Sequence, residues 1–376
     1  MVGIVRKPDT RRKLEILSAD SQYDLACACG TGKDEHRRRG SDGRWIYPVT
    51  LPSGGASVLF KTLLSNVCSN DCAYCPLREQ QDVPRCSLSP EETTRVFLDY
   101  FRQRKVFGLF LSSGVPGSPD AAMDRLLATA RLLRRKHAFR GYIHLKVIPG
   151  ASAAAVEEAV SLASAVSLNI ETPGAERLRA VSAKKDFLRD IAEPMKLISR
   201  LTARGGRYHR VKQTTQFIVG AARESDSEIV RYMSALYDRL KLHRVYFSAY
   251  QTGLGDEAPD TASEGPADPF MREHRLYQAD FLMRKYGFAG DDIGFEADGN
   301  LSPDRDPKQV WADRHPEAFP VNANRASKRD LLRVPGLGPI AVDRLLQRRA
   351  ESRLTGIQDI GRPGVLLCKA AGYLTF

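Results

Sequence analysis

Between residues 57 and 250 the chain alternates two textures, and this alternation constrains its fold more than any other feature. Six short apolar or β-branched runs appear: SVLFKTLLS (57–65), GLFLSS (108–113), YIHLKVI (142–148), AVSLNIE (165–171), KQTTQFIVG (212–220) and RVYFSAY (244–250). Longer amphipathic stretches lie between them. SPEETTRVFLDYFRQRK opens with Ser89 as N-cap, Pro90 at the first helical position and acids in the first turn. SPDAAMDRLLATARLLRRK repeats that opening at Ser118, and residues 225–240 begin similarly. Six strands alternating with helices predict βα units and a parallel sheet, because parallel neighbours need a crossover connection. Alternation alone leaves a closed barrel, a partial barrel and an open doubly wound sheet all in play.

The flanks differ from this centre. Residues 1–50 are basic and irregular, with LACACGTG and DEHRRRG, and no element is assigned there. Residues 51–290 hold the βα region. Residues 291–320 are rich in Pro, Asp and Gly and read as a linker, and residues 321–376 read as a small all-α module. The net charge is +12, and residues 322–376 carry ten Lys/Arg against four acids, half of that excess in about a seventh of the chain. A basic terminal module suits a polyanion, most often nucleic acid, although an arginine-rich solvated helix face has the same composition. No apolar run reaches membrane-spanning length, and the N-terminus turns charged at once, so no membrane and a cytoplasmic location are expected.

Three of the seven cysteines crowd into SNVCSNDCAYCPLRE. Cys68, Cys72 and Cys75 follow the spacing C-x3-C-x2-C. An odd count in a reducing compartment does not suggest a disulfide framework, so a metal site is expected. Three thiolates suit an iron–sulfur cluster with one iron left open. Structural zinc is the competitor and needs a fourth ligand, for which Cys86 or His36 would have to serve. The loop follows the first strand of the alternating region, and in a βα barrel such loops form the active face. A second cluster on Cys27, Cys29 and Cys86 is a further alternative to free thiols, and Cys368 reads as a small core residue.

CSNDCAYC, with Tyr74 just before the last cysteine, resembles the signature loop of radical S-adenosylmethionine (radical SAM) enzymes, and the resemblance extends over residues 57–250. It implies a partial (β/α)6 TIM-type barrel. It also implies a 4Fe–4S cluster on Cys68, Cys72 and Cys75, whose open iron is chelated by SAM, with reduction yielding a 5′-deoxyadenosyl radical. An electron donor such as flavodoxin or ferredoxin follows from that chemistry. The SAM contacts implied are Tyr74 and, where the family carries Gly-Gly-Glu, Ser112, Ser113 and Gly114; the acid is missing here, so contact would run through backbone and hydroxyls. On the third strand Lys146 is matched to the SAM carboxylate and His144 to substrate. Asn169 and Glu171, placed on one face by strand alternation, are matched to the ribose, and Ile218 and Gly220 to the adenine. Tyr246, Ser248 and Tyr250 share a face of the sixth strand, and Tyr250 is counted among the SAM contacts. Each also has a structural reading: a helix cap for the serines, an internal polar network for Asn169 and Glu171, a solvated lysine, a packed tyrosine.

VNANRASKRDLLRVPGLGPIAVDRLLQRR (321–349) resembles a helix-hairpin-helix motif, with Asn324 or Ser327 capping the first helix and Val334-Pro335-Gly336-Leu337-Gly338 as the turn. Residues 354–374 resemble a second, degenerate hairpin. Such turns expose backbone N–H groups at a helix N-terminus, where a phosphate binds. The resemblance implies DNA-backbone binding by Gly336 and Gly338, supported by Lys328, Arg333, Arg344, Arg348 and Arg349. The order of parts, with GLFLSSG, GYIHLKVIPG and SLNIETP, is similar to bacterial DNA modification/repair radical SAM proteins. A radical SAM enzyme acting on a nucleotide in DNA is therefore expected. A radical SAM enzyme acting on RNA such as tRNA and a non-enzymatic, zinc-stabilised DNA-binding protein are the rivals. Metal analysis of anaerobically purified protein separates the last: iron and sulfide near four per chain are expected of a cubane, and a single zinc in colourless protein would reverse the reading.

Overall fold

The computed structural model describes residues 8–21, 45–50, 56–251 and 268–376. Two compact units divide the chain: Met1–Glu224 with Leu236–Glu264, and Ser225–Ala235 with Gly265–Phe376. No helix among the described residues is long and apolar enough to cross a membrane. Cys27, Cys29 and His36 lie outside the described residues.

The first unit runs α1 (Thr10–Asp20), β1 (Ile46–Thr50), β2 (Ala56–Leu63), α2 (Pro90–Arg102), β3 (Gly108–Ser112), α3 (Pro119–Arg131), β4 (Tyr142–Lys146), α4 (Ala153–Leu162), β5 (Ala165–Ser167), α5 (Ala175–Val181), α6 (Glu193–Leu201) and β6 (Lys212–Val219). It ends with the last turn of α7 (Asp226–Leu240) and with β7 (Arg244–Ala249). All six sequence runs are strands. β2 to β7 pair in parallel in chain order, and β1 adds an antiparallel seventh strand at the edge in register Ile46↔Phe60. The sheet is curled into a half-barrel. The reading of residues 1–50 as irregular is thus corrected by α1 and β1: α1 is capped by Asp9, whose carboxylate accepts from Arg12 N–H at 2.8 Å, but its polar composition hides it. The expected helix starts are present. Ser89 and Glu92 form a reciprocal capping box ahead of α2, and Ser118 caps α3.

Strand alternation divides the sheet into two chemistries. The convex side packs under the helices through Phe60, Leu109, Leu111, Ile143, Leu145, Val166, Val245 and Phe247, all essentially inaccessible. The concave side carries Lys61, Phe110, Ser112, Tyr142, His144, Lys146, Gln216, Tyr246 and Ser248 from the alternate positions. A closed βα barrel fills its interior with branched aliphatic layers; this one presents polar and aromatic groups, so its interior is a lined cleft.

The second unit contains the start of α7, α8 (Pro269–Tyr286), α9 (Pro307–Arg314), β8 (Val321–Asn322), α10 (Lys328–Arg333), α11 (Pro339–Glu351), α12 (Val365–Ala371) and β9 (Leu374–Thr375). A fully buried Asp226 carboxylate accepts from the Arg272 guanidinium at 2.8 Å and from Leu301 N–H at 2.9 Å. Residues 291–320, expected as a linker, carry α9 and belong to this unit, with Val310, Trp311 and Ala312 buried. The terminal module is helical except for a two-residue parallel ladder, Val321↔Leu374 and Asn322↔Thr375, that ties down the C-terminus. Ser327, rather than Asn324, caps α10; Asn324 bonds both backbone groups of Leu354. The turn between α10 and α11 needs glycine at position 336. Its φ is +86°, and a Cβ there would stand 2.1 Å from the Leu366 carbonyl oxygen. Gly336→Ala is therefore expected to destabilise this unit by about 2 kcal/mol or more. Gly372→Ala, whose Cβ would meet only ordinary contact at 3.8 Å, should leave the melting temperature nearly unchanged.

Candidate active site

The cysteines sit in residues 64–89, between β2 and α2, a stretch with little regular backbone pairing of its own. It is held from outside. Leu64 N–H donates to Ser112 O at 2.7 Å, Gly114 N–H to Ser65 O at 2.7 Å and Ser69 N–H to Val115 O at 2.9 Å, which lays the loop along the end of β3. Gly114 permits this approach, since a Cβ there would lie 2.5 Å from Val67 O and 3.3 Å from Cys68 Cβ. Arg85 gathers the loop from within, donating to the carbonyls of Asn66, Leu77 (2.9 Å), Arg78 (2.8 Å) and Gln81 (2.9 Å). Asp71 accepts from Ser182 Oγ at 2.6 Å and Ala183 N–H at 2.9 Å. Lys184 reaches back to Ser69 O at 2.6 Å and to Glu79.

The loop opens on a cavity of about 190 Å³. Cys68, Cys72 and Cys75 line it with Tyr74, Ser112, Ser113, Gly114, Lys146, Asn169, Glu171, Ile218 and Tyr250. One sequence-expected SAM contact is not there. Gly220 is outside the lining, and its N–H is taken by the Glu224 carboxylate in a turn where its φ is +90°. His144 is also absent from the lining; it is buried, with Nε2 3.0 Å from Ser167 Oγ. Asn169 and Glu171 come together, Nδ2 to Oε2 3.4 Å, but not by strand alternation as expected. β5 ends at Ser167. Thr215 Oγ1 then takes the place of a backbone group, donating to Leu168 O at 2.7 Å and accepting from Ile170 N–H at 2.9 Å. Glu171 turns to φ +64°, a left-handed conformation that a non-glycine residue holds only when its surroundings enforce it.

Lys185 is a cavity-lining residue that sequence reading misses. It stands in the SAKKDF stretch between α5 and α6, with no motif to mark it. Its ammonium donates to the Tyr74 hydroxyl at 3.3 Å and lines the same cavity. Burial works against its charge, but Cys72, Glu171 and Cys75 outweigh that and hold it above the ordinary lysine range. Burial, then neighbouring Cys72, pushes the Cys75 thiol up to about 12. A bound metal reverses that tendency, because thiolate is the ligating form. Asp20 of α1 also reaches the lining and accepts from Asn66 Nδ2 at 2.7 Å.

The donor set fits an iron–sulfur cluster: three thiols from one loop, two of them partly exposed, face a cleft whose other wall is polar. Among the described residues no group of three or more His, Cys, Asp or Glu side chains is arranged to hold a metal ion. The cysteines of a cubane each bind a different iron, so they need not converge as ligands of one ion do. Cys86, weighed as a zinc ligand, lies off the cavity with its thiol toward Lys13 O at 3.9 Å.

Residues 62–236, somewhat less than half of the chain, match the family model of the radical SAM superfamily. This stretch is a radical SAM domain. The family uses a 4Fe–4S cluster and SAM. No curated protein matches the chain by sequence. Among solved structures the chain is similar to the FeFe-hydrogenase maturase HydG from Carboxydothermus hydrogenoformans, at 14% identity over 84% of this chain and 76% of that one, TM-score 0.47. It is similar to methylornithine synthase PylB at 14% identity, 60% and 61% coverage, TM-score 0.46. It is also similar to Streptococcus suis SuiB at 12% identity, 61% and 48% coverage, TM-score 0.42. The chain thus spans less than two thirds of the length of the last two.

In the second unit, Gly338 is the N-cap of α11, followed by Pro339. Arg344 and Arg348 are exposed on α11, Arg348 3.5 Å from Glu351. Lys328 is exposed beside Asp343 at 2.6 Å. Two arginines expected to meet phosphate are instead structural. Arg333 is 12% exposed, paired with Asp292 at 2.9 Å and stacked within 4.7 Å of Phe288 and 4.5 Å of Trp311. Arg349 donates to Ala326 O at 2.7 Å.

Gly114→Val should push the loop off β3 and cut iron bound after reconstitution severalfold. Cys86→Ser should bind as much iron as the parent protein, measured by iron and sulfide assay.

Proposed function

We propose that this protein is a radical SAM enzyme that removes a hydrogen atom from a nucleotide in DNA, in repair or modification. The observation that carries the enzymatic part is that Cys68, Cys72 and Cys75 share one cavity with the polar ends of four strands. A 4Fe–4S cluster and SAM bound in this cavity would supply, on reduction, hydrogen-abstracting radical chemistry. The residues of the chain hold and orient. The three thiolates bind the cluster. Lys146 and Lys185 offer ammonium groups to a carboxylate, and Asn169 with Glu171 offers an amide and a carboxylate to hydroxyl groups. Ser112, Ser113 and Gly114 border the position that the amino end of SAM takes in the resemblance, and Ile218 and Tyr250 give the apolar and aromatic wall. An electron donor such as flavodoxin or ferredoxin would serve the cluster.

The DNA part rests on the terminal module. The reading of its turn as a helix-hairpin-helix is supported by Gly336 at φ +86° and by Gly338 and Pro339 opening a 13-residue helix. Its exposed Lys328, Arg344 and Arg348 suit phosphates, and contacts of that kind bind backbone without reading sequence. A target base within a duplex would have to be flipped out.

The test is 5′-deoxyadenosine production by the reconstituted, dithionite-reduced protein with SAM, comparing no nucleic acid, duplex DNA, single-stranded DNA and tRNA. Stimulation by DNA and no product from Cys75→Ala are expected. Stimulation by tRNA alone would move the substrate to RNA. An intact cluster whose EPR signal SAM does not change would overturn the enzymatic reading.

A further inference from the structure

A second segment, residues 181–185, runs beside the cysteine loop, and the two are laced together almost residue by residue. Ala73 N–H donates to Val181 O at 2.8 Å. Asp71 accepts from Ser182 Oγ at 2.6 Å and from Ala183 N–H at 2.9 Å. Lys184 Nζ donates to Ser69 O at 2.6 Å. Lys185 Nζ donates to the Tyr74 hydroxyl at 3.3 Å and lies 5.8 Å from the centroid of that ring. Positions 69, 71, 73 and 74 bracket Cys72 and adjoin Cys75. The segment itself is held by the end of α5, where Leu178 and Val181 are buried and Ser182 N–H donates to Leu178 O at 2.9 Å. Lys185 is therefore fixed relative to the thiols, not relative to the strand ends across the cavity.

Of residues 181–185, Lys185 lines the cavity. Its neighbour Lys184 is paired with Glu79, but among the described residues no carboxylate stands within salt-bridge distance of the Lys185 ammonium. The ionisable groups around it are Cys72, Glu171 and Cys75. A partly buried cation without a paired carboxylate is costly unless another negative group meets it. Three thiolates gathered in one loop are such a group, since like charges crowded together gain from a cation beside them. Net charge and hydrogen bonds to the sulfurs set the potential of an iron–sulfur cluster, and groups just outside the ligands tune a metal site.

We propose that Lys185 sets the reduction potential of the cluster held by Cys68, Cys72 and Cys75, its ammonium stabilising the reduced, more negative state. The inference rests on the reading of the cysteine loop as the site of a 4Fe–4S cluster, and it adds a residue that governs how readily that cluster is reduced. In the step concerned, one electron passes from a low-potential one-electron donor to the cluster. The donor is oxidised and the cluster reduced; no bond forms or breaks, no proton moves, and the negative charge at the thiolates rises by one. A fixed cation favours that change through the same field by which an opposite charge at about 4–6 Å shifts a proton equilibrium by about one to three pKa units. The bond to the Tyr74 hydroxyl keeps the ammonium at the loop instead of letting the side chain extend into solvent.

The experiment uses the full chain, reconstituted anaerobically, as the parent and as Lys185→Met, Lys185→Gln and Lys185→Arg, with iron and sulfide measured for each. The midpoint potential is read without SAM by EPR-monitored redox titration, and SAM affinity is measured separately on the oxidised protein. Lower potentials are expected in the Met and Gln variants: at a fixed potential the ratio of reduced to oxidised cluster falls about tenfold or more, a shift of about 59 mV for one electron. Lys185→Arg is expected to keep the potential of the parent. Unchanged potentials in the Met and Gln variants at full iron content would overturn the inference. If SAM affinity alone then weakens, Lys185 is a carboxylate ligand and the radical SAM reading stands. Loss of the cluster from both neutral variants would also overturn the inference and make Lys185 a residue of cluster assembly. A parent protein that holds no iron–sulfur cluster would overturn both the inference and the reading beneath it.

Discussion

The site depends on one arginine. Residues 64–89 contain the three cysteines but neither helix nor strand to fix them, and a loop of that length pays a large entropy cost for a single shape. Arg85 answers this by donating to four carbonyls spread over the loop, those of Asn66, Leu77, Arg78 and Gln81. One planar group thus satisfies acceptors that would otherwise have to find water, each worth about 1–3 kcal/mol if left buried and unmet. Asn66 works with it, accepting from Cys86 N–H at 2.7 Å and donating to Pro84 O at 2.7 Å. With the loop closed on itself, Gly114 can seat it against β3, and the thiols face the cavity rather than solvent.

The half-barrel makes that cavity useful. Convex residues such as Leu109 and Ile143 are buried beneath helices, so the sheet needs no aliphatic filling on its concave side. The concave positions are free to carry Ser112, Lys146, Asn169 and Glu171 near the cysteines and an aromatic, cationic set farther along. The left-handed Glu171 illustrates the cost: a strained backbone at the cavity, held by bonds to Gln216 O at 3.0 Å and from Ile218 N–H at 2.8 Å.

Much of this was legible in the residues. Short apolar and β-branched runs placed six strands, and Ser-Pro openings placed the starts of α2 and α3, because strand propensity and helix capping are local rules. Cys68, Cys72 and Cys75 announced themselves by spacing. α1 and β1 were not legible: a charged eleven-residue helix and a five-residue strand interrupted by Pro48 carry little periodicity of their own. Arg333 and Arg349 looked like phosphate ligands, since composition cannot tell an arginine that packs on Trp311 or bonds Ala326 O from one that faces water.

The sequence by itself determined the alternation of elements, the cysteine loop and the glycine turn at Val334–Gly338, because each follows from residues close together in the chain. Only the tertiary structure decided which groups share a cavity. Lys185 and Asp20 reach the cysteine cavity across long separations, and Gly220 is turned aside by Glu224. Those juxtapositions come from the packing of distant elements, and no local pattern encodes them.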